Sequence, residues 1–170
     1  MIHQGLLLAR LVIGLVMAAH GSQKLFGWFG GYGIAGTGGF FESLGWRPGR
    51  FFAAAAGAAE FGGGLLIALG FLGPIGPALV LSVMIVAAIS VHRKHGLFAQ
   101  NNGIEVPLLY SVAAVTLALT GFGSYSLDAA FGLTWGLALT WAVLAIGVAV
   151  SFVNLALRQP VTETARESAQ

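Results

Sequence analysis

Residues 5–28 read GLLLARLVIGLVMAAHGSQKLFGW, an apolar rod with a basic side chain toward each end. As a helix, the stretch places Arg10, Gly14, Met17, Gly21 and Lys24 on one face, at steps of four and three. His20 stands about 80° off that face at ~100° per residue. The other faces are Leu, Val, Ile and Ala, suited to lipid. A basic residue this deep in hydrocarbon costs at least ~2.5–3.5 kcal/mol on insertion scales. Arg10 is therefore expected to face protein or a wet cavity and to have an acidic partner. The one acid set deep in another apolar segment is Glu60, so the expected partnership is Arg10–Glu60.

The rest of the chain agrees with a membrane reading. Of 170 residues, 57% are hydrophobic and only 8% charged, and mean hydropathy is +0.87; a soluble domain carries roughly 25% charged residues. The formal charge of +2 reflects loop lysines and arginines and gives no reason to expect a nucleic-acid partner. There is no cysteine, which excludes disulfides, thiolate metal sites and dithiol chemistry carried by this chain. The first apolar stretch lacks a small-residue cleavage site and reads as a retained span rather than a removed signal peptide.

Spans are expected over about 2–24, 50–72, 77–92, 107–121 and 134–157. The fold class is thus all-α integral membrane: a four-helix bundle within residues 1–130, a fifth C-terminal transmembrane helix at 134–157, and a polar cytoplasmic tail at 158–170. Between the first two spans, residues 25–48 are rich in Gly and aromatics. Thr37 could cap a short interfacial helix over 38–46, with a re-entrant turn as the alternative. In span two, Gly57, Glu60 and Gly64 form a stripe that admits a close neighbour, with the acid at its centre. With five spans, Lys24, Arg47, Arg50, Arg93, Lys94, Arg158 and Arg166 fall on one side and no Lys or Arg in the loops of the other. The positive-inside rule makes that side cytoplasmic, with the N-terminus outside and the chain in the cell (plasma or inner) membrane.

Two constellations could carry chemistry. Arg10 and Glu60 form either a structural pair that fixes helix register or a proton or ligand site near the midplane. At the cytoplasmic end, His20, Lys24, His92, His95 and Glu105 gather with Arg47, Arg50, Arg93, Lys94, Asn101 and Asn102. That cluster reads as a basic rim for anionic lipid headgroups or as a pocket for an anion or quinone head, with His20 and Lys24 as donors. His92-x-x-His95 is not a tight zinc pattern, so no metal is expected. GGYGIAGTGG lacks the Lys-Ser/Thr of a phosphate loop.

Taken together, Arg10 and Gly14, HGSQK at 20–24, EFGGG at 60–64, HGLFAQNNGIEVPLL at 95–109 and TGFGSYSLD at 120–128 resemble the DoxX family of small bacterial membrane proteins. The resemblance covers about residues 5–130 and implies a four-helix membrane bundle; span five goes beyond it. Where the family's motif has a tyrosine, this chain has Ile104. The resemblance implies an accessory subunit of a membrane oxidoreductase system, with a membrane or membrane-associated redox partner and quinone as the candidate ligand. Two other readings stay open: a small-solute transporter or channel, and a structural membrane partner without a ligand. Association with further copies of the chain is also left open, as is an activity of its own.

Overall fold

The computed structural model describes residues 1–160; the end of the expected polar tail, Arg166 included, lies outside them. Seven α-helices account for the fold, and no strand occurs among the described residues. They are α1 (Ile2–Phe26), α2 (Gly33–Ser43), α3 (Gly49–Leu69), α4 (Ile75–Ala87), α5 (Glu105–Thr120), α6 (Leu127–Ala130) and α7 (Leu137–Ala156). A π-helical turn, Ala88–His92, and a 3-10 turn, Arg93–His95, continue α4. With that extension, α1, α3, α4 and α7 are long and apolar enough to cross a membrane, and α5 is a shorter apolar helix. The protein is an all-α integral membrane protein.

The α1–α3 interface sets the register of the bundle. A Cβ built on Gly14 would lie 2.5 Å from the Gly64 carbonyl oxygen, and one built on Gly64 the same distance from the Gly14 carbonyl. Gly21 meets the Gly57 carbonyl in the same way. Only glycine permits such backbone approach, and it gains close packing that lipid cannot match. The seven-residue step from Gly14 to Gly21 equals the step from Gly64 back to Gly57, so both pairs obey one antiparallel register. Continued, it sets Arg10 opposite Ala68 and Ala18 opposite Glu60.

The central helix is α4, which packs on α3, α5 and α7. Its apolar character on every side suits that position. Met17, Ile67, Val80, Met84, Ala114, Leu117 and Phe122 form the main core, drawn from α1, α3, α4, α5 and the chain after α5. The helix expected over 38–46 begins earlier, with Tyr32 as its N-cap; Thr37 is buried inside it rather than capping it. Ser126 does cap α6, accepting from Ala129 N at 3.2 Å. The first residues past α7 are docked rather than frayed. Arg158 Nε donates to the Leu44 carbonyl at 2.8 Å, and Gln159 N donates to Gly45 O at 2.8 Å.

Candidate functional site

The expected Arg10–Glu60 pair does not form. In the observed register Arg10 sits eight residues, about 12 Å along the helix axis, from the level of Glu60. Side chains on a helix also lean toward its N-terminus. Because α1 and α3 are antiparallel, Arg10 and Glu60 lean away from each other, while Lys24 and Glu60 lean together. Lys24 Nζ accordingly meets Glu60 Oε2 at 2.5 Å, in the only salt bridge among the described residues. Arg10 donates instead to the backbone carbonyls of Ala68 and Tyr125. Its cation lies at the C-terminal end of α3, where the helix dipole favours positive charge.

Arg10 belongs to a clamp on the turn between α3 and α4. Gly70 leaves α3 with a left-handed φ of +64°, the usual way for a helix to stop. Asp128, buried, accepts from Leu72 N and Gly73 N, both at 2.8 Å, and from Trp135 Nε1 at 2.9 Å. One charged side chain thus takes the carbonyls around this turn and another takes its N–H groups.

The opposite end holds a cleft of about 480 Å³, within the usual ~300–1,000 Å³ of small-molecule sites. Its floor is α4, and its flanks are Ala55, Ala56 and Ala59 of α3 and Val143, Ile146, Gly147 and Val150 of α7. Phe40, Phe41, Leu44 and Trp46 close one end. Ala55, Ile146 and Val150 remain exposed on the open side, which faces across the bundle surface, where lipid would lie. Polar side chains are few: Lys24, Glu60, Ser82, Ser90, His92 and Asn154. Glu60 is 2% exposed, and its Oε1 makes no hydrogen bond among the described residues. The π-helical turn carries Ser90 and His92 onto the cleft wall; such turns recur at functional sites.

Of the five residues expected to line a ligand pocket, Lys24 and His92 line the cleft; His20, His95 and Glu105 do not. His20 is exposed on α1, edge-on to the Tyr110 ring at 6.4 Å. His95 Nδ1 lies 3.1 Å from Val91 O, and His92 Nδ1 lies 2.8 Å from Asn102 O. Glu105 folds the loop before α5 by accepting from Ala99 N at 2.7 Å. No three of these residues come together as a metal-ligand group.

Sequence reading missed Ser82, Asn154 and the role of Trp46. Trp46 was expected at headgroup depth as an interface anchor, yet it is buried, and its Nε1 donates to Asn154 O at 3.1 Å. Arg158 stacks over the same ring at 4.9 Å. Asn154 could have been flagged as an amide in an otherwise apolar span.

The sequence matches the DoxX family over residues 5–93, just over half of the chain, from α1 through the end of the π-helical turn. The chain belongs to the DoxX family. No curated protein and no solved structure matches it. The matched segment contains Arg10, Lys24, Glu60, Ser82 and His92; α5 and α7 follow it.

Proposed function

We propose that this DoxX-family protein is an accessory membrane subunit of an oxidoreductase system and that the cleft beside Lys24 and Glu60 holds a quinone. The observation that carries the reading is a cleft walled by Ala, Val, Ile and Phe, with an ion pair and an imidazole on its wall. An amphiphile with an apolar tail and a carbonyl-bearing head satisfies both parts. A Lys ammonium has three donors, so the one bonded to Glu60 leaves others for a ring oxygen. A small anion is less suited, because Glu60 already neutralises the cation and the walls offer little else. With no cysteine in the chain, electron transfer beyond the quinone falls to a partner protein. The basic end is assigned to the cytoplasm on the positive-inside rule.

The transport alternative has less support. A second hollow at the other end shares no lining residue with the cleft, and Gly147 closes on the Ala78 carbonyl at the α4–α7 contact. The test is titration of delipidated protein with decyl-benzoquinone, read by quenching of Trp46 in the cleft wall. Saturable quenching is expected, together with quinone in solvent extracts of protein purified in mild detergent. Replacing both charges (Lys24→Met with Glu60→Gln) should weaken binding by about tenfold or more. No saturation and no extracted quinone would discard the reading.

A further inference from the structure

Two polar side chains in the cleft have no partner, and both face the ion pair from across it. Ser90, Ser111 and Ser151 return their hydroxyls to backbone carbonyls within their own helices. Ser82 makes no such bond among the described residues. The carbonyl it would reach, that of Ala78, is the one on which Gly147 closes: a Cβ there would lie 2.7 Å from that oxygen. The α4–α7 contact thus leaves the Ser82 hydroxyl free on the cleft wall. Asn154 gives its backbone carbonyl to Trp46, while its side-chain amide makes no hydrogen bond among the described residues.

The glycine contacts fix the depths of these groups. Gly63 and Gly76 approach each other's carbonyls across α3 and α4, at 3.0 and 2.9 Å for the built Cβ atoms. That antiparallel register sets Ile85 level with Ala54 and Ser82 level with Gly57. The α1–α3 register sets Lys24 level with Ala54. Along the parallel pair α4 and α7, the Ala78–Gly147 contact sets Asn154 level with Ile85. Lys24 and Asn154 therefore share one depth on different sides of the cleft, and Ser82 lies about 4.5 Å deeper at 1.5 Å per residue, toward Glu60. Trp46, Arg158 and Gln159 hold the end of α7 in place, so Asn154 is presented from a fixed position.

We propose that Ser82 and Asn154 are specificity-determining residues: with Lys24 and Glu60 they select a flat, apolar-tailed ring that carries hydrogen-bonding oxygens on two opposite edges. The inference rests on the quinone reading above and narrows it. One ring oxygen meets Lys24 and Glu60, and the other meets the Asn154 amide or the Ser82 hydroxyl. A ring with a single oxygen leaves one wall unpaired, and a site built to pair a polar atom discriminates strongly against an analogue that lacks it.

The test is displacement of decyl-benzoquinone from the full chain by two probes with the same tail, a 1,4-hydroquinone and a phenol. Wild type should prefer the hydroquinone by about tenfold or more. Asn154→Leu and Ser82→Ala should each shrink that preference, by weakening the hydroquinone while leaving the phenol unchanged. Ser82→Ala removes a single oxygen and guards against a folding artefact at Asn154. Equal binding of the two probes by wild type, or a preference untouched in both variants, overturns this inference and leaves the quinone reading standing. Failure of wild type to bind decyl-benzoquinone at all overturns both.

Discussion

The first helix carries two cations, and the two ends of the bundle treat them differently. Arg10 is 3% exposed and serves backbone carbonyls; it closes a turn and faces no large cavity. Lys24 has a quarter of its side chain exposed, pairs with a carboxylate and stands on the wall of a cleft. Buried charge in a membrane protein is often taken as a mark of function. Here the distinction lies in what remains of each group once its partner is counted. Arg10 keeps only an orphaned Nε sealed in protein, whereas Lys24 keeps donors, and Glu60 an acceptor oxygen, beside open space.

The contrast breaks most sharply at Arg10. Arg10→Leu should cost about 3 kcal/mol or more, since charge-assisted hydrogen bonds contribute ~1.5–3 kcal/mol each, and should cut accumulation in the membrane. Arg10→Lys should not rescue it, because a point donor cannot reproduce a fork that bridges two carbonyls. Thermal unfolding in detergent measures both. The ion pair should behave asymmetrically. Lys24→Met strands the buried Glu60 and should cost ~3–5 kcal/mol. Glu60→Gln should cost about 1 kcal/mol, because Lys24 can extend its ammonium toward the interface. The double variant should recover most of the loss, and a double-mutant cycle on unfolding reads that coupling. Equal costs for the two single variants would remove the asymmetry argued here. The smallest effect is expected at Trp46→Phe, which deletes the indole bond to Asn154 and should cost ~1 kcal/mol while loosening the end of α7. Hydrogen exchange at 150–156 would report it.

Much of the bundle can be read from the chain. The apolar runs mark the spans, and the glycine stripes of α1 and α3 mark the faces that meet. The pairing error at Arg10 came from depth. Setting Lys24 level with Arg50 brought Arg10 within reach of Glu60. The glycine interlock places Arg50 opposite Trp28 instead, one turn farther out, and doubles the gap to Arg10. The matched seven-residue steps, 14 to 21 and 57 to 64, held that register in plain view, and the lean of helical side chains would have chosen Lys24. The site was less legible. The cleft exists because α4 separates α3 from α7, and Ser82 is unpaired because a glycine on a distant helix closes over its natural acceptor. Neither fact has a local signature. His20, His95 and Glu105 shared an end of the bundle with Lys24, but sharing an end does not bring side chains to one wall.

The π-helical turn at Ala88–His92 has a consequence for how such a protein could diverge. A turn of this kind accommodates one more residue than the surrounding α-helix needs. Removing that residue would restore α geometry and rotate everything after it by about 100°, carrying His92 off the cleft. The identity of the side chain at the mouth is therefore governed by chain length, so that an insertion or deletion of one residue would retune the cleft more abruptly than exchanging any amino acid along it.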